Sequence, residues 1–321
     1  MKISVNEQAL WVVKETLAHK RELQIRVEKH PKGATIIDAG VAAPGGYAAG
    51  LMVTRICMGG LWEVSLSSRN FGDFALPTIE VATDQPAIST LGAQFAGWQI
   101  KVRDYFAMGS GPARALALKP KELYAEIDYK DDADCAVIVL ESEKLPPDEA
   151  IRYIASECKV RPSRIYAVVT PTNSLAGSTQ ISGRIVETGV HKLEKVGLDP
   201  KRIIHAVGYA PISPIHPKPA KAMGRTNDAL YYGGETFYTV DFEDDEKLKE
   251  IVSKAPSSTA AEYGKPFYEI FKAAGFDFYK IDPNLFAPAV VAVNNIRTGQ
   301  TFRSGRIDTK VLRETMGIVA E

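Results

Sequence analysis

Two stretches of the chain carry side chains whose types and spacing suit chemistry. In the first, Gln180 to Val196, the residues Arg184, Glu187, His191 and Glu194 stand at i, i+3, i+7 and i+10. On a helix these positions share one face, so Arg184 and Glu187 can meet. Such a charged pair could serve a ligand if this face lines a cleft. The same stripe also describes an ordinary solvated helix face, where a pair is worth only ~0.2–0.5 kcal/mol. The second stretch is Met108-Gly109-Ser110-Gly111-Pro112-Ala113-Arg114. Glycines let backbone approach a ligand, and a helix start beyond them offers free N–H groups to an anion. It lacks the G-K-[ST] of a phosphate loop, and Arg114 replaces the third glycine of a dinucleotide fingerprint. The alternative is a plain turn before a short helix.

Other candidates are weaker. Asp84 precedes Gln85-Pro86 and reads as a helix cap that could also line a site. Cys57, Cys135 and Cys158 are odd in number and form no C-x-x-C pair, which argues against disulfides and finger-type zinc. Cys135 lies in an apolar run and reads as core rather than nucleophile. The five histidines form no H-x-x-x-H element, so no metal is expected.

The 39 basic and 39 acidic residues balance to zero net charge, which disfavours nucleic acid and membrane surfaces as partners. No window approaches the ~18 apolar residues of a membrane span, and the N-terminus shows no signal-peptide core, so the expected compartment is the cytoplasm. With 321 residues, 45% hydrophobic and 24% charged, the chain is long enough for about two domains.

The elements that must position these residues follow from periodicity. Helices are expected at 5–29, 113–118, 148–158, 180–196, 261–274 and 308–319. Strands are expected at 34–41, 77–83, 135–140, 164–170, 236–240 and 288–293, with extended chain at 98–107 and a hairpin turn near Thr298-Gly299. The proline- and glycine-rich region 208–234 reads as a long loop, functional or disordered. Strands and helices mix without strict alternation, which favours α+β architecture over a doubly wound sheet. The expected division is an N-terminal α+β domain, 1–165, and a C-terminal α+β domain, 166–321, with elements free to interleave.

Several runs together resemble one family. They include Thr83-Asp84-Gln85-Pro86-Ala87-Ile88, Tyr105-Phe106-Ala107-Met108-Gly109-Ser110-Gly111-Pro112-Ala113-Arg114 and Gln180-Ile181-Ser182-Gly183-Arg184-Ile185-Val186-Glu187-Thr188. Gly264-Lys265-Pro266-Phe267-Tyr268 and the run from Phe278 to Pro288 extend the likeness, which begins at Ser4-Val5-Asn6-Glu7. The chain resembles the methenyltetrahydromethanopterin cyclohydrolases over essentially its whole length. That resemblance implies two α+β domains side by side with a long substrate pocket between them, and a homo-oligomer, commonly a trimer. It implies reversible hydrolysis of the methenyl pterin to its N5-formyl form, serving formaldehyde oxidation or carbon dioxide reduction. It implies no tightly bound cofactor, the tetrahydromethanopterin derivative being itself the substrate. Within S-G-R-x-V-E the family's catalytic pair falls on Arg184 and Glu187. Gly109, Ser110, Gly111 and Arg114 are candidates for the anionic tail, with Asp84, Ser182 and Lys265 as further substrate contacts and Arg225 on the same electrostatic logic. A nucleotide-dependent oxidoreductase and a pterin-binding protein without turnover are the alternatives.

Overall fold

The computed structural model describes residues 3–277 and 280–319. Phe278 and Tyr279, which open one of the runs above, lie outside the described residues. The chain begins with helix α1 (Val5–Ala18), strands β1 (Arg26–Lys29) and β2 (Thr35–Asp38), and helix α2 (Tyr47–Cys57). A hairpin follows, β3 (Val64–Phe71) and β4 (Phe74–Thr83). Next come α3 (Pro86–Ser89), β5 (Trp98–Val102), β6 (Tyr105–Ser110), α4 (Ala113–Ala117) and α5 (Lys121–Glu126). After them stand β7 (Ala136–Glu141), α6 (Asp148–Cys158), β8 (Ile165–Val169) and α7 (Leu175–Ser182). The remainder holds α8 (Ile185–Lys195), β9 (Ile203–Pro211), α9 (Pro219–Gly233), β10 (Glu235–Val240) and α10 (Asp245–Ser253). It ends with α11 (Phe267–Ala273), β11 (Val290–Asn295), β12 (Thr301–Gly305) and α12 (Thr309–Met316).

These elements sort into two compact units, Met1–Glu63 with Ala87–Gln180, and Val64–Pro86 with Ile181–Glu321. The single boundary expected near 165 is therefore replaced by crossings at 63, 86 and 180. Pairing explains the change. Strand β8 lies between β2 and β7, parallel to both, so it cannot leave the first unit. Strand β4 pairs antiparallel with β9, which draws the β3–β4 hairpin into the second.

Each unit is built on one mixed six-stranded sheet with helices packed on it, an α+β arrangement. The first sheet runs β1-β2-β8-β7-β6-β5 and the second β12-β11-β10-β9-β4-β3. In the first, Val137 and Val139 face α1 and α2, whereas Ile138 and Leu140 face α6. Strands covered on both faces read as unbroken apolar runs, which is why 135–140 and 164–170 were recognisable. Asn6 ties α1 to this sheet. Its side chain accepts from Val137 N–H (2.9 Å) and donates to Pro112 O (2.9 Å) and Asp131 Oδ2 (2.8 Å).

Several expected elements change. Helix α1 stops at Ala18, and Gln24, with φ +53°, turns the chain into β1. The region 208–234 is the end of β9 and the 15-residue helix α9, leaving only 212–218 and Gly234 irregular. The long helix expected at 180–196 is two helices, α7 and α8, separated by Gly183 and Arg184.

Candidate active site

The break between α7 and α8 decides where the candidate pair sits. Arg184 occupies the N-cap position of α8; its N–H bonds Ile181 O (3.0 Å), and its carbonyl accepts from Thr188 (2.8 Å). Glu187 is then the third residue of the helix, where the aligned N–H dipoles favour a carboxylate. Ser182, just before the break, is fully buried and donates to Pro211 O at 2.8 Å.

Arg184 and Glu187 are 8% and 7% exposed, so the solvated-face reading does not hold. The opposite side of α8, Ile185, Val186, Gly189, Val190 and Leu193, is buried too, and the helix packs on β9 and β10. Glu187 lies within electrostatic range of two buried tyrosines. Burial, then Asp228, then Glu187 push the Tyr231 phenol well above its usual value. Burial and Glu187 do the same at Tyr238, against a hydrogen bond from Thr236. His191, one turn after Glu187, is held below its usual 6.5 by burial, with Lys195 and Lys192 adding. It is neutral at pH 7.

The glycine-rich stretch is placed otherwise than a ligand-facing turn. Gly109 is inside β6, opposite Trp98 and Leu140, and an added Cβ would stand 2.8 Å from Trp98 O. Ser110 is buried, with Oγ 3.2 Å from Cys57 Sγ. Gly111, at φ +93°, donates to Ala93 O at 2.9 Å. Arg114 has no exposed surface. Its guanidinium donates to Lys119 O (2.8 Å), Leu91 O (3.1 Å) and Ala93 O (3.2 Å), over the rings of Phe95 and Tyr124. This arginine cross-links backbone carbonyls. The extended chain expected at 98–107 is a β5–β6 hairpin turning at Arg103, with φ +51°, and it runs on through Gly109 and Ser110.

Asp84 is half exposed and lies 2.6 Å from His205 Nδ1 on β9. Lys265 is exposed, and its carbonyl accepts from Tyr232 Oη at 2.7 Å. Arg225, on α9, reaches the carbonyls of Ile215 (3.4 Å) and Pro214 (3.5 Å). The structure therefore brings Ser182, Arg184 and Glu187 together at one helix junction; Asp84 and Lys265 stand elsewhere in the same unit. Gly109, Ser110, Gly111 and Arg114 belong to the core of the other unit. Burial pushes the Cys135 thiol up to about 11 and the Cys158 thiol up to about 12, consistent with packing roles. Among the described residues no group of three metal-ligating side chains occurs, and no helix is long and apolar enough to cross a membrane.

Comparison with known proteins adds independent weight. The sequence pattern of the cyclohydrolase (MCH) family matches residues 4–316. Methenyltetrahydromethanopterin cyclohydrolase from Methanococcoides burtonii is 50% identical over 316 residues, 98% of this chain and 99% of its own length. The protein of that name from Methanothermobacter marburgensis is 48% identical over 321 residues, covering 98% and 100%. A third, from Methanocaldococcus jannaschii, is 48% identical over 318 residues, covering 98% of each. With the match spanning nearly every element of both units, the chain belongs to the cyclohydrolase (MCH) family.

Proposed function

We propose that the protein is a methenyltetrahydromethanopterin cyclohydrolase in which Glu187 activates water and Arg184 orients it. The activity is supported by end-to-end identity near 50% with relatives of that name. The observation that carries the residue roles is the burial of Arg184 and Glu187 together at the start of α8, inside an unbroken S-G-R-x-V-E. A surface pair would have no reason to be withdrawn from water, because desolvation costs more than the pair returns.

The substrate is a cation whose bridging carbon is already electrophilic. Water adds to that carbon as Glu187 takes a proton. One C–N bond then opens: the leaving nitrogen takes that proton back, and the added hydroxyl loses its own as it becomes the formyl carbonyl, so the N5-formyl compound forms with net release of one proton. Glu187 also offsets the cationic substrate beside Arg184, and the helix N-terminus favours the carboxylate over its protonated form. The chemistry needs no electron transfer, so the pterin serves as substrate and carrier without a redox cofactor. Lys265, Asp84 and Arg225 remain candidates for the rest of the substrate. Arg114 and the glycines beside it are better explained as core. From the family resemblance we further propose a cytoplasmic homo-oligomer, a trimer being the family's common form, that binds neither nucleic acid nor membrane.

The test is an absorbance assay. Purified protein should bleach the methenyl chromophore and yield the N5-formyl compound. Binding without bleaching would identify a pterin carrier instead, and nicotinamide-linked absorbance changes would identify an oxidoreductase.

A further inference from the structure

Helix α8 is held at its first turn from the side of β10. Tyr238, fully buried on that strand, reaches across and donates from Oη to the Val186 carbonyl at 2.9 Å. Gly189 makes room for this. An added Cβ there would stand 1.9 Å from Tyr238 Oη, 2.9 Å from its Cζ and 3.2 Å from Pro288 Cγ. No side chain fits at 189 while the phenol keeps its place. From β9, Gly208 allows a similar approach: a Cβ there would meet Val186 Cγ2 at 3.0 Å.

The bonded carbonyl is not an arbitrary one. The Val186 C=O and the Glu187 N–H belong to one rigid peptide plane that ends at the Glu187 Cα, so a bond to the oxygen restrains the backbone from which the Glu187 side chain leaves. We propose that Tyr238 is a positioning residue: its hydroxyl, seated over Gly189, fixes the peptide plane that carries Glu187 and so aims the carboxylate. The inference rests on Glu187 being the base.

The chemistry of the phenol suits the task. Its ionisation is pushed far above the usual range by burial, with the Glu187 carboxylate adding and Thr236 opposing. It therefore stays a neutral donor at any working pH and brings no second negative charge beside Glu187. Simple core filling would account for the ring alone. It would not account for a hydroxyl directed at this one carbonyl across a glycine.

Three variants test this beside Glu187→Gln. Tyr238→Phe keeps the ring and removes the donor; kcat should fall about tenfold with KM within about twofold, because misaimed catalytic groups cost rate rather than binding. Gly189→Ala should be more damaging, since its methyl meets the hydroxyl. Gly189→Ala combined with Tyr238→Phe should recover part of that loss, because the closest clash is gone. If Glu187→Gln is active, the assigned base is wrong and the positioning role falls with it. If Glu187→Gln is inactive while Tyr238→Phe turns over like the parent, the positioning role alone is overturned. It is also overturned if the double variant is no better than Gly189→Ala, or if the kcat loss of Tyr238→Phe only tracks its unfolded fraction in thermal melts.

Discussion

Glu187 and Arg184 are as buried as core residues, and that changes what their removal should do. Glu187→Gln keeps the shape and loses the base, so kcat should fall at least ~100-fold in the chromophore assay. Activity near that of the parent would exclude Glu187 as the base. Arg184→Ala should lower both turnover and melting temperature, because a buried partner charge is left behind; an exposed pair would leave the melt unchanged. Lysine should not restore it, since an ammonium lacks the planar fork. Arg114 gives the converse case. Arg114→Leu takes the guanidinium donor from the carbonyls of Leu91, Ala93 and Lys119, of which Ala93 keeps the Gly111 N–H, a loss of about 3–5 kcal/mol. Calorimetry should show a large fall in stability, with KM unchanged for the enzyme that remains folded. A raised KM with an unshifted melt would return Arg114 to the ligand.

At the level of elements, α9 and α11 are joined through a buried acid. Asp228 Oδ1 accepts from Phe267 N–H at 2.9 Å, and Tyr232 holds the neighbouring loop through Lys265 O and Gly264 N–H. Burial pushes the Asp228 carboxyl well above its usual 3.8, with Glu314 adding and the Phe267 N–H opposing. The folded protein thus keeps a proton that the unfolded chain releases above 3.8. Its stabilising share is full below that value and is lost as pH rises toward the folded one. Asp228→Asn still accepts from Phe267 and cannot ionise. Its melting temperature relative to the parent should therefore be higher at about pH 8 than at about pH 4. An equal difference at both would show that another group titrates. The same elements show what the sequence could and could not reveal. Apolar runs marked β7 and β8, and the charged periodicity of 148–158 marked α6. Helix α2 was hidden because Gly45-Gly46 read only as a turn. In fact Asp38 gathers the N–H groups of Gly40, Val41, Ala42 and Ala43 at 2.7–3.0 Å and so delivers the chain to the helix start. Helix α9 was hidden by the prolines leading into it, of which the last, Pro219, stands at the first helical position, where no N–H is needed. The Arg184–Glu187 spacing was visible, but its burial was not, because spacing along one helix does not say what packs against it.

For the molecule as a whole, the proposed reaction converts a cation and water into a neutral formyl compound and a proton. With enzyme present, the formyl-to-methenyl ratio at equilibrium should rise about tenfold per pH unit. Endpoint absorbance across a pH series measures it directly, and a pH-independent endpoint would mean that no net proton is released. The dependence belongs to the reaction, so Glu187→Gln should reach the same endpoint more slowly. That separates chemistry from binding without kinetic modelling. The zero net charge of the chain leaves selection of the anionic tail to local groups rather than to an overall field.

The β3–β4 hairpin has a consequence for how the chain is made. Thr83 pairs with Ala206. At ~5–20 residues per second, the ribosome delivers that partner about 6–25 s after the hairpin has emerged. Through that interval β4 shows a bare edge of the kind that recruits stray strands. Pro77, within β4, removes one donor from it. Halting synthesis after residue 180 would yield every residue of the first unit together with this orphaned ribbon. A clean preparation of the first unit therefore calls for excising 64–86 and rejoining the ends, and a stop codon alone should give a product that aggregates.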